Sequence, residues 1–216
     1  MTLELEIVKI IAIILALLLA IIGHEIMHGW TAYRFGDNTA KNQGRLSINP
    51  IKHIDPIGSL LLPGFLFVVG SPFLFGWAKP VPVDMHTVIR NRGTKGAIGV
   101  SLAGISYNFA LVAIFAFIYS MMGEPSNLLG IFISIFIMQS IIINAVLGFF
   151  NLWPIPPLDG SQALRYFALG KKWYGMVAWL DKVYPYGMFI LIAIIATPIA
   201  SYVFKPLLWL LAQILQ

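Results

Sequence analysis

Residues 20–35, AIIGHEIMHGWTAYRF, end a long apolar run with two histidines and a glutamate. The run begins near Ile7 and is apolar except for Lys9, whose long side chain can reach the membrane surface. Ionisable side chains are costly in hydrocarbon, and inside a membrane-spanning helix they usually mark a functional site. The stretch therefore predicts a membrane helix over residues 5–35 with a polar site inside it.

The composition indicates an integral membrane protein. Of the 216 residues, 59% are hydrophobic and 11% are charged, whereas soluble domains are about 45–50% apolar and about 25% charged. The net charge of +5 does not indicate nucleic-acid binding, because the basic residues flank apolar runs, as they do in cytoplasmic loops of membrane proteins. The chain contains no cysteine, which excludes disulfides and thiolate metal sites.

Hydrophobic segments predict an all-α bundle that forms one integral-membrane domain, residues 1–216. Residues 57–76 are apolar but broken by prolines and glycines, which favours a kinked or re-entrant segment. GRLSI and KPVPV are candidates for short membrane-associated β elements. About five or six hydrophobic segments are expected, with candidate helices at 5–35, 57–76, 96–122, 127–149, 160–169, 184–204 and, at the membrane interface, 206–216.

Clusters of basic residues predict the orientation in the membrane. They follow the first helix and precede helices 96–122 and 184–204, whereas the turn around Glu124 has none nearby. The positive-inside rule therefore places the basic clusters in the cytoplasm. Arg34 then marks the cytoplasmic end of the first helix, and His24 lies roughly 15 Å before it at 1.5 Å per residue. A site at His24 is predicted inside the bilayer, toward the cytoplasm, where water must be admitted.

His24, Glu25 and His28 form a His-Glu-x-x-His pattern. Residues i and i+4 share one face of a helix, so both imidazoles can bind the same ion. Zn²⁺ suits imidazole ligands and lowers the pKa of a bound water to about 7, and Glu25 lies where it can accept the proton of that water. The pattern predicts a zinc site with Glu25 as general base, and a structural histidine pair is the alternative.

A catalytic zinc site usually has three protein ligands, so a third ligand is expected elsewhere. Asp159 is the strongest candidate, because it follows the proline-rich break NLWPIPP between two apolar segments. Its alternative role is that of a helix N-cap. The remaining histidines, His53 and His86, are expected to be surface or loop residues, and the loop residues Asp37 and Asp55 are expected to be solvated.

HEIMH in an apolar helix, paired with NLWPIPPLDG downstream, resembles the site-2 protease family of intramembrane zinc metalloproteases. GRLSINPIKHIDPIG, FGWAKPVPV and SLAGISYN are also similar to segments of its compact prokaryotic members, which have no PDZ-like or other appended domain. The resemblance covers roughly residues 15–205. It implies that His24, His28 and Asp159 hold one Zn²⁺ per chain and that Glu25 is the catalytic base.

The resemblance also implies roles for two asparagines. Asn151 matches the family's asparagine upstream of the LDG sequence, which implies that it holds substrate or stabilises the oxyanion. Asn108 matches an asparagine that follows a Gly-Pro pair, although this chain reads AGISYN and lacks the proline. An extended element near the active site can pair with unwound substrate in the family, and GRLSI and KPVPV are the candidates here.

The predicted function is zinc-dependent cleavage of peptide bonds within or next to transmembrane segments of membrane-protein substrates. The expected location is a prokaryotic cell membrane, with the active site toward the cytoplasm. The expected partners are such substrates and the lipid bilayer. The alternatives are a membrane zinc transporter or metal sensor, an inactive scaffold and a peripheral, membrane-anchored metalloprotease. A transporter is expected to carry a His- or Asp-rich loop, which this chain of four histidines lacks.

Overall fold

A computed structural model describes residues 3–61, 64–65, 68 and 76–215. The helices with defined bounds are α1 Leu3–Arg34, α2 Thr39–Asn42, α3 Met85–Ser120, α4 Leu128–Asn151, α5 Asp159–Gly170, α6 Tyr174–Val183, α7 Gly187–Ile195 and α8 Ile199–Ile214. Short 3-10 turns occupy Pro50–His53 and Tyr184–Tyr186, and a π-helical turn occupies Pro56–Leu61.

Four helical stretches of the described chain are long and apolar enough to cross a membrane. They are Leu3–Arg34, Met85–Ser120, Leu128–Asn151 and Tyr174–Ile195. The protein is therefore an all-α integral membrane protein, as predicted, with four such stretches in its described part where the sequence suggests five or six hydrophobic segments. Of the predicted re-entrant segment 57–76, most lies outside the described residues.

The core of the bundle is formed by α1, α3 and α4, which pack against one another, and α5 packs on α3. On α1, Ala12, Ala16 and Ala20 recur every four residues and are fully buried. Leu15 and Leu17, on other faces of the helix, are more than 40% exposed. Lipid is as apolar as leucine, so membrane helices associate through close packing of small residues. The alanine stripe therefore brings α1 close to its neighbours.

The helices α1, α4 and α5 begin and end within two residues of the predicted bounds. Helix α3 begins at Met85 and not near residue 96, because Asp84 caps it by accepting hydrogen bonds from the backbone N–H groups of His86 and Thr87. The Thr87 hydroxyl also donates to Asp84 and holds the pKa of that carboxyl below its usual value. Gly93, at φ 65°, kinks the helix and divides this short polar part from the long apolar part.

The predicted helix 184–204 has different bounds in the structure. Helix α7 ends at Ile195, and α8 begins at Ile199 and takes in most of the predicted interfacial helix 206–216. Pro198 lies between them as the N-cap of α8, and because proline has no N–H it cannot continue the hydrogen bonds of α7.

The described residues contain no β-strand, so the predicted β elements are not confirmed. In GRLSI, Gly44 adopts a positive φ of 61° and turns the chain back toward α2. In KPVPV, Pro80 and Pro82 cannot donate hydrogen bonds, so a regular ladder cannot form there. The one N–H between the two prolines, that of Val81, is directed to the side chain of Glu25.

Candidate metal centre

His24, His28 and Asp159 meet where α1 faces the start of α5. The Oδ2 atom of Asp159 lies 3.0 Å from His24 Nε2 and 3.1 Å from His28 Nε2. The two Nε2 atoms are 3.1 Å apart. Helical spacing explains the histidine pair, since residues four apart lie one above the other on the same face. The structure thus brings Asp159 to the histidine pair, although His28 and Asp159 are 131 residues apart in the sequence.

The hydrogen bonds behind the histidines show what the three converging atoms can bind. The Nδ1–H of His24 donates to Asn108 Oδ1 at 2.6 Å, and the Nδ1–H of His28 donates to the carbonyl of Val100 at 2.7 Å. In the neutral form of each imidazole, Nε2 then carries a lone pair. Two lone pairs and a carboxylate oxygen at contact distance repel one another unless a cation lies between them. Neutral imidazoles with a fixed outer hydrogen bond are the usual arrangement in metal sites.

The separations suit a small tetrahedral ion. Four-coordinate zinc with bonds of about 2.0–2.1 Å places neighbouring ligand atoms about 3.3 Å apart. The observed separations of 3.0–3.1 Å come within a few tenths of an ångström of that value. Two imidazoles and one carboxylate also form a donor set found in catalytic zinc sites, which leave one position open. The donor set and its geometry therefore fit zinc.

A glycine of α3 makes room for the two imidazole rings. A Cβ atom at Gly104 would lie 2.5 Å from His28 Nε2 and 2.6 Å from His24 Nδ1. Val100, one turn earlier on the same helix, supplies the carbonyl that holds His28. The α3 backbone can therefore contact both ligands only because residue 104 has no side chain.

Asp159 is the first residue of α5, and the N-cap is Leu158, which makes no side-chain cap hydrogen bond. The alternative role of Asp159 as an N-cap is therefore wrong, since its carboxylate is directed to the histidines. Gly160 lets this helix start lie against the end of α4, because a Cβ there would overlap the carbonyl of Leu152 and lie 2.8 Å from that of Trp153. The LDG sequence thus combines a ligand with a close backbone contact.

The carboxylate of Glu25, a residue of α1, is held by extended backbone and not by another helix. Its Oε2 accepts a hydrogen bond of 2.8 Å from the backbone N–H of Val81. The preceding Lys79 is fixed on both sides: its N–H donates to the His53 carbonyl at 2.9 Å, and its carbonyl accepts from Arg45 Nη2 at 2.8 Å. The loop after α1 therefore anchors the segment that contacts Glu25.

The metal centre opens into a cavity of about 750 Å³. Its walls include the three ligand candidates, Glu25, the extended segment around Pro80 and Val81, and the end of α4 with Asn151. Asn151 points into its own helix through a 3.0 Å bond from Nδ2 to the Leu147 carbonyl, which leaves its Oδ1 without a bond among the described residues. The cavity is large enough to admit water and a segment of peptide chain.

Asn108 differs from Asn151 in its surroundings. It is a fully buried residue of α3 that lies behind His24, and it is not among the residues that line the cavity. Its Oδ1 accepts from His24, and its Nδ2 donates to Asn144 Oδ1 at 2.8 Å and to the Ala20 carbonyl at 3.3 Å. In this structure Asn108 contacts a metal-ligand candidate and not the space open to a substrate.

Two loop residues, Asp37 and His53, are buried. Asp37 is 2% exposed, and its carboxylate accepts from Thr39 and from the backbone N–H of Asp84, which ties the loop after α1 to the start of α3. His53 is 3% exposed and its Nε2 donates to the Ser47 carbonyl. The expectation of a solvated Asp37 is wrong, because Thr39 and the backbone N–H of Asp84 satisfy its carboxylate. His53 lies in the loop, as expected, but it is buried there. His86 is exposed, as expected.

Sequence reasoning missed three residues that shape this site. Apart from Gln139 at its start, the apolar run QSIIINAVLGFF contains one amide, Asn144. That isolated amide could have been found from the sequence. Val81 supplies the one N–H between Pro80 and Pro82, which indicates that this N–H has a specific acceptor. Gly104 gives no such signal, because glycines are frequent in membrane helices and the need for this one arises only from packing.

The chain is similar to bacterial proteins named as zinc metalloproteases. It is 36% identical over 204 residues to "Putative zinc metalloprotease YwhC" of Bacillus subtilis, covering 91% of this chain and 85% of that relative. It is 31% identical over 156 residues to "Putative zinc metalloprotease Rip2" of Mycolicibacterium smegmatis and over 145 residues to Rip2 of Mycobacterium tuberculosis. These matches cover 72% and 66% of this chain.

The chain spans about half the length of the mycobacterial relatives, 56% and 51%. No protein-family model matches the chain, and no solved structure matches it. The Bacillus match alone extends over nearly the whole chain. From that match, the chain belongs to the site-2 protease family and is a zinc metallopeptidase.

Proposed function

We propose that this metallopeptidase cleaves peptide bonds within or next to the transmembrane segments of other membrane proteins. The observation that carries the proposal is the position of the ligand cluster on a membrane-spanning helix. His24 lies roughly 15 Å from Arg34, the end of α1, at 1.5 Å per residue, within a stretch apolar enough to cross a bilayer. A site at this depth is reached most directly by substrates that are themselves in the membrane.

In this proposal His24, His28 and Asp159 hold one zinc ion per chain, as their converging acceptor atoms and 3.0–3.1 Å separations support. Zinc, when bound, supplies a Lewis acid that polarises the scissile carbonyl and activates water. Glu25 borders the same cavity and accepts the proton of the attacking water. It then returns the proton to the amine of the leaving fragment.

A helical peptide hides its carbonyl groups in hydrogen bonds, so the substrate must unwind at the cavity. The extended segment around KPVPV lies along one wall, and Ala78 and Pro80 of that segment face the cavity. The backbone of Lys79 is already paired with the loop after α1. The edge that carries Ala78 and Pro80 is therefore the side on which an unwound substrate would pair, over a short stretch in which Ala78 can donate and accept and Pro80 can only accept. Asn151 would contact the substrate from the opposite wall.

The basic clusters support a cytoplasmic position for the loop after α1 and for the start of α3. The metal centre then lies in the cytoplasmic half of the membrane, and the bacterial relatives support a prokaryotic cell membrane. Asp159 enters the bilayer from the cytoplasmic side on a proline-rich turn. Water is expected to reach Glu25 from that same side.

The proposal is tested by comparing membrane proteins of cells that express the wild type with those of cells that express Glu25→Gln. Fragments that end within transmembrane segments are expected only with the wild type. Equal fragment patterns in both strains would overturn the proposal. Zinc flux into liposomes that survives Glu25→Gln, without any fragments, would favour a transporter instead.

A further inference from the structure

A chain of buried amide groups runs from α4 to the metal centre. Asn108 of α3 and Asn144 of α4 are fully buried, as is Ser140 one turn before Asn144. Asn144 Nδ2 donates to the Ser140 carbonyl at 2.8 Å, Asn108 Nδ2 donates to Asn144 Oδ1 at 2.8 Å, and His24 Nδ1–H donates to Asn108 Oδ1 at 2.6 Å. Buried amides in a membrane bundle are costly unless every group is paired.

The hydrogen bonds of this buried amide chain all run in one direction, and the Ser140 carbonyl sets that direction. A backbone carbonyl can only accept, so Asn144 must turn its NH₂ toward Ser140 and its Oδ1 toward Asn108. Asn108 must then turn its NH₂ toward Asn144 and its Oδ1 toward His24. An Oδ1 atom only accepts, so the proton of neutral His24 must reside on Nδ1 and the lone pair on Nε2. The carbonyl of Ala20, 3.3 Å from Asn108 Nδ2, supports the same orientation.

We propose that Asn144 is a positioning residue for the metal centre and acts through Asn108 to fix the tautomer and ring orientation of His24. This inference rests on the proposed role of His24 as a zinc ligand. Asn144 does not line the cavity, and its hydrogen bonds go to Asn108 and Ser140 and not to the ligand candidates. Its effect must therefore pass through Asn108, which gives the proposal a testable form: Asn144 and Asn108 must be coupled in zinc binding.

A merely structural role of Asn144 predicts a different result. If Asn144 only fills space between α3 and α4, its loss lowers the stability of the bundle and leaves the intrinsic affinity for zinc unchanged. Ile137 is a suitable control, because it is a buried residue of α4 whose neighbours lie in the core shared with α8. Truncation of Ile137 removes packing from the same helix without touching the amide chain.

The first experiment measures zinc affinity by chelator competition in the purified proteins Asn144→Leu, Asn108→Leu, their double variant and Ile137→Ala. Asn108→Leu is expected to bind zinc about 10- to 100-fold more weakly than wild type, the range for direct partners of metal ligands, and Asn144→Leu, one partner further from His24, is expected to show a smaller but measurable loss of affinity. The double variant is expected to bind no more weakly than Asn108→Leu alone, and Ile137→Ala is expected to match wild type. Wild-type affinity in Asn144→Leu, or additive losses in the double variant, would overturn the proposal.

The second experiment does not depend on the folding of the leucine variants. Nitrogen NMR of histidine-labelled, zinc-loaded protein reports which nitrogen of His24 carries a proton and how strongly that N–H is hydrogen-bonded. The wild type is expected to show a hydrogen-bonded Nδ1–H on His24, and the milder Asn144→Ser is expected to shift that signal toward a weaker hydrogen bond. An Nε2–H on His24 in the wild type, or an unchanged Nδ1–H signal in Asn144→Ser, would contradict the proposal. Failure of wild type to bind zinc would instead count against the proposed function.

Discussion

The two sides of the metal centre are held in different ways. The ligand side is built from helices: His24 and His28 of α1 are seated against α3, and buried hydrogen bonds hold both rings from behind. The side of the proposed base is built from extended chain, where one N–H of Val81 holds Glu25. Helical packing fixes the proposed metal ligands, whereas the proposed base depends on a segment anchored by a loop. Changes to the two sides should therefore separate zinc binding from cleavage.

Glu25→Gln is expected to separate zinc binding from cleavage most strongly. The amide keeps the shape of the side chain but cannot accept the proton of the attacking water, so cleavage should fall about 10²- to 10⁴-fold. Zinc content should stay at the wild-type level, because Glu25 is not among the ligand candidates. Cleavage rate and bound zinc are measured on the same purified sample. Glu4→Gln, at the exposed start of the same helix, is the control, and loss of zinc in Glu25→Gln would break the comparison.

Gly104→Ala is expected to act on the ligand side and to weaken zinc binding. The added Cβ would lie 2.5–2.6 Å from both imidazoles, so the ligands must shift and zinc affinity should fall about 10- to 100-fold. Gly99→Ala is the matched control on the same helix, because its Cβ would meet Phe35 at an ordinary 3.5 Å. Chelator competition measures both variants. Equal zinc affinity in the two variants would show that α3 does not seat the ligands as described.

Val81→Pro should weaken cleavage and spare zinc. It removes the N–H that donates to Glu25, a hydrogen bond to a charged group that contributes about 1.5–3 kcal/mol, and a decrease of about tenfold or more in kcat is expected. Val81→Ala keeps the N–H and should remain well above Val81→Pro. Kinetics on one substrate, with zinc analysis, distinguishes the cases. Equal kcat values for the two variants would mean that the Val81 N–H does not support Glu25.

Arg45→Met should have the smallest effect. It removes the donor that holds the Lys79 carbonyl, while the bond from Lys79 N–H to the His53 carbonyl remains. The segment is then anchored less firmly, so cleavage should decrease less than in Val81→Pro, with unchanged zinc. The same kinetic assay measures this variant. A loss greater than that of Val81→Pro would place the main support of Glu25 in the loop after α1.

The two sides also differ in how well the sequence predicts them. The ligand side follows from helical periodicity, since His24 and His28 at a spacing of four share a face whatever the rest of the fold does. Asp159 could be chosen because the apolar chain leaves few other acidic residues near a break. The bounds of α1, α4 and α5 follow likewise from apolar runs that end at prolines, asparagines or charges.

The other features depend on contacts between distant segments. No local feature of KPVPV indicates that the N–H of its central residue, Val81, donates to Glu25, which lies 56 residues earlier in the chain. The burial of Asp37 also could not be read locally, because its partner Asp84 belongs to the start of α3. The β elements are expected from the alternating run KPVPV and from the family resemblance, but the prolines of KPVPV remove donors that a sheet needs. Local patterns therefore predict the helices and the candidate metal ligands. The Val81–Glu25 contact and the burial of Asp37 depend on hydrogen bonds between distant segments.

The most direct test of the account combines both sides in one measurement. Purified protein is placed in liposomes with a single-span membrane substrate, and mass spectrometry locates the cut bond. The account predicts a cut within or beside the apolar segment with wild-type protein and none with zinc-loaded Glu25→Gln. Cuts confined to soluble parts of the substrate, or cleavage that persists in Glu25→Gln, would contradict the claim that this buried centre hydrolyses peptide bonds in the membrane.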